Sequence, residues 1–270
     1  SRLYNLCRVN SKSFWPHLTL VDRVNINAMQ VDEPELLVRF KDKHEEMAVA
    51  ELKALCELFG APNVSVGRPG DRHPFFHVRH LPERLCPLIC ERSMLVAGFF
   101  NNYGEGKTLK AALSGEEQTF QAERMIADVL APGVSLKVAV EIYGASLTHK
   151  EKSERIFRLL SFVPERVHVD LKNPTLKLYI MEQMWSRNNI DNHLHRVFVG
   201  REVCVNDNTL PAQFQLRERP FLNTTSMDPL LSFVMANMGL CRPGSVVFDP
   251  FVGSGSVLVS CAHFGAYCYG

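Results

Sequence analysis

The chain has almost no excess charge: 30 Lys and Arg stand against 29 Asp and Glu in 270 residues. With no global basic field, any contact with nucleic acid has to be made by a local surface. A long apolar run is missing too. The densest stretch, Leu95 to Phe100, is far shorter than the ~20 residues that cross a bilayer, so a soluble chain with no membrane partner is expected. The opening lacks the positive start, apolar stretch and small-residue cleavage site of a secretory signal, and the 8 cysteines follow no repeating spacing. Both absences argue for a reducing, cytoplasmic compartment with mostly free thiols. No internal repeat or low-complexity tract appears, and no Ser-His-Asp or Cys-His signature stands out. His73, His77, His80, Cys86 and Cys90 cluster, but His77 and His80 have odd separation on a strand-like segment and point to opposite faces. Surface histidines and buried thiols are expected there rather than a metal, and His193 and His195 share the weakness.

What is present is a chain that is 46% hydrophobic, enough to pack two domains of ordinary size. Leu36 to Phe40 reads as a strand. His44 to Phe59 carries Ala48, Leu52, Leu55, Cys56 and Phe59 at helical spacing, closed by Gly60, Pro62 and Asn63. Phe75 to His80 reads as a strand, Pro82 to Glu91 as a short helix, Asn101 to Gly106 as a turn-rich break, Gln118 to Leu130 as a helix and Val134 to Tyr143 as a strand. Thr148 and Glu151 have the spacing of a capping box for a helix running to about Phe162. Val167 to Leu171, Leu176 to Met184 and Arg196 to Val203 are further strands. Such alternation predicts α+β or α/β organisation.

Charge then falls away. Basic residues outnumber acidic ones over 148–220, whereas beyond 221 only Asp228, Arg242 and Asp249 are charged. That change separates a solvated module from a buried core, with Asn206, Asp207, Asn208 and Pro211 marking a linker between them. Residues 1–28 have no clear period and are expected to be an extension ahead of a native start near Met29. Gly270 follows directly on a strand-like segment, and a fragment is expected.

Residues Ser245 to Gly270 read as strand, tight turn, helix, strand. The turn is Asp249-Pro250-Phe251-Val252-Gly253-Ser254-Gly255-Ser256. In a parallel βαβ unit, ligands sit at the carboxyl ends of the strands, where the turn into the helix presents backbone N–H groups. Gly253 and Gly255 let the backbone come close to a bulky ligand, and Asp249 supplies an acceptor. Counting from Gly253, the sixth position of a dinucleotide fingerprint is Leu258, so NAD and FAD fit poorly. The Gly-Lys-Ser/Thr of a phosphate-binding loop is absent.

This turn closely resembles the cofactor motif of amino-group methyltransferases, which bind S-adenosylmethionine on a doubly wound sheet. The preceding run, Arg219-Pro220-Phe221-Leu222-Asn223-Thr224-Thr225-Ser226-Met227-Asp228-Pro229, resembles the lead-in segment of the eukaryotic and archaeal tRNA (guanine-10-N2)-methyltransferases. Phe40 to Gly60, Arg92 to Val96, Val169 to Pro174 and Val199 to Glu202 look like that family's N-terminal region, so the resemblance covers roughly 36–270. It implies an α+β N-terminal region, ferredoxin-like and THUMP-like, followed by the start of an α/β doubly wound methyltransferase domain. The implied division is 29–204 for tRNA binding, 205–218 for the linker and 219–270 for the cofactor domain.

By the same resemblance Thr224, Thr225, Ser226, Asp249, Pro250, Phe251, Gly253, Ser254 and Gly255 contact the cofactor, and Lys172, Arg217 and Arg219 contact tRNA. Thr225, Ser226 or Asp228 could equally cap the following helix, with Pro229 at its first position. A small zinc-binding activator subunit is the implied partner. The family's Asp/Asn-Pro-Pro-Tyr/Phe tetrapeptide, which holds the amino group of the base, occurs nowhere in these 270 residues. No catalytic residue is therefore assigned, and the chain alone is expected to be inactive. Two alternatives stay open: a DNA amino-methyltransferase sharing the turn, and a non-catalytic RNA-binding protein with a degenerate methyltransferase domain.

Overall fold

The computed structural model describes residues 35–41, 45–67, 74–114, 121–163, 167–186, 192–218 and 226–270. Strand β1 (Leu36–Phe40) and helix α1 (Glu45–Leu58) open it. The helix forms where the apolar spacing predicts, burying Ala48, Leu52, Leu55 and Cys56. It ends in a Schellman turn: Gly60 sits at φ +88°, its N–H donating to the Glu57 carbonyl and that of Ala61 to Cys56. β2 (Ser65–Gly67), β3 (Phe75–Arg79), a 3-10 turn (Glu83–Leu85), α2 (Cys86–Arg92), β4 (Val96–Gly106), α3 (Leu109–Ser114), α4 (Ala122–Val129) and β5 (Ser135–Tyr143) follow. After them come α5 (His149–Leu160), β6 (His168–Val169), β7 (Leu176–Ser186) and β8 (Asn192–Val205). The rest is α6 (Leu210–Gln213), a 3-10 turn (Leu216–Glu218), α7 (Pro229–Met238), β9 (Val246–Phe248), α8 (Ser256–His263) and β10 (Tyr267–Tyr269).

The first eight strands form one sheet in the order β2-β3-β1-β4-β8-β7-β5-β6. Every pairing in it is antiparallel except those that β5 makes with β7 and β6. Helices cover one face of the sheet. The other rolls up on itself, because Phe75 of β3 meets Tyr143 of β5 with ring centroids 6.2 Å apart, and Arg39 of β1 pairs with Glu141 of β5. These strands stand far apart in the sheet order. The curl buries Leu37, Phe75, Phe100, Met181 and Phe198 in one cluster, and each of them lies on a strand.

Two sequence expectations are corrected here. Asn101 to Gly106 is not a break but the second half of β4, buried throughout. Bulges between Phe99 and Phe100 and between Asn102 and Gly104 absorb its irregularity. The Asn101 amide donates to Glu83 at 2.9 Å, which pairs the donor side of a polar residue held inside the strand. His77 is not a surface histidine. Its ring lies 3.1 Å from the buried Glu105, which also pairs with Arg196. Burial alone would raise the Glu105 carboxyl, but His77 and Arg196 together hold it below its usual range. His73 and the side chains of His193 and His195 lie outside the described residues.

The capping box at α5 is formed as the spacing predicts. The Glu151 N–H donates to Thr148 Oγ1, and the Thr148 N–H donates to Glu151 Oε2 at 2.8 Å. Thr148→Ala is expected to cost about 1 kcal/mol, read as a fall of about 2–4 °C in the thermal midpoint. An unchanged midpoint would mean that the box contributes nothing to the folded protein.

The C-terminal strands form a separate sheet. β9 and β10 pair in parallel, Val246 to Tyr267 through Phe248 to Tyr269, with α8 as the crossover, which is the first unit of a doubly wound sheet. Its core is continuous with that of the N-terminal half: Phe233, Val234, Ala236, Cys241, Cys261 and Phe264 join the cluster built on β1, α1 and α2. Among the described residues, no helix is long and apolar enough to cross a membrane, and no group of three or more His, Cys, Asp or Glu is placed to hold a metal ion.

Candidate functional site

The turn between β9 and α8 is organised by its own aspartate. Asp249 continues the strand, its N–H donating to the Tyr269 carbonyl at 2.9 Å. Its Oδ1 accepts the Phe251 N–H at 2.9 Å, an Asx turn that leaves the other carboxylate oxygen for a ligand. The Gly255 N–H then closes onto the Val252 carbonyl at 2.7 Å. Gly253 and Gly255 take φ of +51° and +74°, where a side chain is strained. Pro250 is exposed, and the Phe251 ring stands 92% exposed at the rim.

These two glycines differ from Gly200 in what surrounds them. A Cβ on Gly200 would come within 2.5 Å of the Asn101 carbonyl oxygen, so the absence of a side chain there serves backbone contact. A Cβ on Gly253 or Gly255 would meet nothing nearer than 3.8 Å. The space it would fill is open, and a ligand can approach the backbone through it. Gly255 also stands at the N-cap of α8 and offers no side-chain cap, so the N–H groups of the first turn remain directed at that space. A ligand carrying both a carboxylate and an amino group suits the pair: helix N–H groups for the first, the Asp249 carboxylate for the second. The amino-acid end of S-adenosylmethionine has that chemistry, and the residues present fit it.

Ser226 is brought to the same place from 28 positions earlier, its hydroxyl donating to Ser254 Oγ at 2.8 Å. The Met227 N–H donates to Ser256 Oγ at 3.2 Å, so the lead-in segment is laid along the turn. Asp228 takes the capping role, its Oδ1 accepting the N–H groups of Leu230 and Leu231 ahead of Pro229. The sequence left Ser226 open to a cofactor contact or a helix cap and offered Asp228 as a cap; the cap falls to Asp228. Thr224, Thr225 and Arg219 lie outside the described residues. Ser256 was not singled out from the sequence, and only its place at the first position of α8 could have suggested it.

Lys172 and Arg217, expected from the sequence to contact tRNA, fall on separate elements. Lys172 is exposed beside the edge strand β6, where its N–H donates to Asp170 Oδ1. Arg217 is exposed in the 3-10 turn before α7. An open cavity of about 630 Å³ lies between α6 and the start of α7, lined by Pro211, Leu216, Asp228 and Leu231 among others. It touches the lead-in but not the glycine turn, so it does not mark the site.

Two family models match this chain. Residues 34–207 match the family described as Tmrp11 THUMP N-terminal domain, and residues 217–270 match that described as RMKL-like, methyltransferase domain. The tRNA (guanine(10)-N(2))-methyltransferase TRMT11 of Bos taurus is 32% identical over 235 residues, and that of Homo sapiens 31%. In each case 87% of this chain aligns with 50% of the relative, so the chain spans about half the length of the curated relatives it matches. The solved structure of TrmN from Thermus thermophilus aligns with 87% of this chain and 64% of its own, at 19% identity and a TM-score of 0.46. With the N-terminal match alone running from residue 34 to residue 207, the chain belongs to the Tmrp11 THUMP N-terminal domain family.

Proposed function

We propose that this chain is the RNA-gripping and cofactor-binding part of a tRNA methyltransferase catalytic subunit, one that moves a methyl group from S-adenosylmethionine to the N2 amino group of guanine 10 in tRNA. The observation that carries this reading is the glycine turn: a strand-turn-helix-strand unit with open space at Gly253 and Gly255 and with Ser226 bonded onto it. The names of the relatives support the substrate. In this reading 29–204 bind tRNA, 205–218 link, 219–270 begin the methyltransferase domain, and 1–28 are an extension. Thr224, Thr225, Ser226, Asp249, Pro250, Phe251, Gly253, Ser254 and Gly255 contact the cofactor.

S-adenosylmethionine, when bound, supplies a methyl group activated by its sulfonium. The work of these residues is to bind and orient. The Asp249 carboxylate would receive the cofactor's amino group, the N–H groups of the first turn of α8 would take its carboxylate, and the exposed Phe251 ring would help to exclude water. Direct transfer to an exocyclic amine depends on alignment and shielding more than on a strong base. Residues 1–270 contain no Asp/Asn-Pro-Pro-Tyr/Phe tetrapeptide, so no base-holding residue is assigned among them. Lys172, Arg217 and Arg219 are assigned to phosphate contacts, which position an RNA without reading its sequence. A small zinc-binding subunit as partner and a cytoplasmic site of action belong to the same proposal.

The test uses the full-length protein, co-purified with that subunit, on unmodified tRNA with radiolabelled S-adenosylmethionine. Label is expected in the tRNA, and digestion should place it on the N2 of guanine 10. Label in duplex DNA instead, or none in tRNA, would overturn the assignment.

A further inference from the structure

Three polar side chains are buried together where the two halves meet. Glu51 of α1 is fully buried and accepts the Met94 and Leu95 N–H groups, both at 2.9 Å, and the Ser93 hydroxyl at 2.7 Å. Arg92, at the end of α2, lies with its guanidinium 3.8 Å over the Phe264 ring and donates to the Cys241 carbonyl. Between these opposite charges stands Asn237 of α7, also fully buried. Its amide donates to Glu51 at 2.7 Å and to the Arg92 carbonyl at 3.2 Å, while its oxygen accepts Arg92 Nε at 3.0 Å. Both charges belong to the N-terminal half, and the amide that bridges them belongs to the other.

The rest of α7 connects this bridge to the glycine turn. Its last turn ends in a Schellman arrangement with Leu240 at φ +53°, the Cys241 N–H donating to the Ala236 carbonyl. A non-glycine residue held there is strained. The turn it makes brings the Cys241 carbonyl to Arg92. At the other end, roughly 14 Å along the helix axis, Asp228 caps α7 directly after Ser226 and Met227, the residues bonded to Ser254 and Ser256. Phe233, Val234 and Ala236 bury one face of α7, while Met235 and Met238 on the other are exposed. A rotation that took Asn237 out of hydrogen-bond reach would leave Glu51 and Arg92, both buried, each short of a partner.

We propose that Asn237, clamped between Glu51 and Arg92, is a positioning residue that fixes the angle between the RNA-gripping half and the cofactor turn. This rests on the function proposed above. α7 acts as a strut: one end is registered on the N-terminal half, and the other carries the lead-in that lines the glycine turn. Because the RNA is gripped by one half and the methyl donor by the other, the strut decides which guanine arrives at the methyl group.

Asn237→Leu keeps the branched shape and the number of heavy atoms but removes the bridge. In the full-length protein with its subunit, kcat at saturating tRNA and cofactor is expected to fall roughly 10- to 100-fold. The dissociation constants for tRNA and S-adenosylmethionine should stay within about threefold, and part of the remaining label should appear on guanines other than the normal one. Amide hydrogen exchange should quicken about tenfold or more over 229–240 and stay unchanged over 36–40 and 96–106. An unchanged kcat overturns the proposal, as does a loss of activity matched by loss of cofactor binding, which would be a merely structural effect. If wild-type protein leaves tRNA unlabelled, the functional reading fails, and exchange alone decides the strut: unaltered rates in α7 overturn it. Should Asn237→Leu not fold, Arg92→Lys, which keeps the charge but not the fork of donors, takes its place in each measurement.

Discussion

A Gly255→Val protein is expected to fold and to lose its affinity for S-adenosylmethionine. At φ +74° a β-branched residue costs about 1–2 kcal/mol, a shift of only a few degrees in the thermal midpoint. No clash adds to it, since the nearest atom to a Cβ there is Val252 Cγ2 at 3.9 Å. The added methyl groups instead occupy the space through which a ligand reaches the Asp249 carboxylate and the first-turn N–H groups of α8. The dissociation constant, measured by calorimetry on the full-length protein, is expected to rise about 100-fold or more, or ~2.7 kcal/mol. Gly200→Ala should behave in the opposite way, because its Cβ would meet the Asn101 carbonyl oxygen at 2.5 Å: it destabilises the sheet and has no direct path to the cofactor. Binding within a few-fold of wild type in Gly255→Val would remove the turn from the site.

The largest loss of stability is expected from Glu51→Leu. Four donors, from Ser93, Met94, Leu95 and Asn237, lose their acceptor at once, and the buried Arg92 is left without a facing carboxylate. Breaking a buried charge cluster from one side costs about 3–5 kcal/mol, equivalent to roughly 6–20 °C for a chain of this size. Thermal and urea unfolding should agree on this. A midpoint within about two degrees of wild type would mean that the cluster is solvated in the folded protein. Burial pulls the Arg92 guanidinium down to about 10, which leaves it charged at neutral pH, so the loss should not vary between pH 6 and pH 8 on its account.

How much of this was legible beforehand follows from the range of each interaction. The helix over 45–58 announces itself by spacing and by Gly60, and α5 by Thr148 and Glu151, because each signal and its partner lie within one or two turns of chain. The Asp249 turn was equally legible: the Asx hydrogen bond spans two residues and the glycines stand in the turn they serve. Asn101 to Gly106 misled for a complementary reason. Asn and Gly favour turns locally, and what keeps them in β4 are two bulges set against β8 together with a hydrogen bond from Asn101 to Glu83. His77 looked like surface because nothing near it in sequence covers it; Glu105 and Phe198 do.

The chain by itself thus determined the local chemistry: where helices start and stop, that a glycine turn follows an apolar strand, and that an aspartate sits at its mouth. These depend on backbone sterics and near-neighbour hydrogen bonds, which travel with a short segment. Tertiary structure alone decided which segments share a surface. Ser226 reaches Ser254 across 28 residues, Arg92 reaches Asn237 across 145, and Asn237 reaches Glu51 across 186. Such contacts form only when burial brings distant elements together and the cost of an unpaired polar group selects the partners. No local pattern carries that information, and it is there that the two halves of this protein are joined.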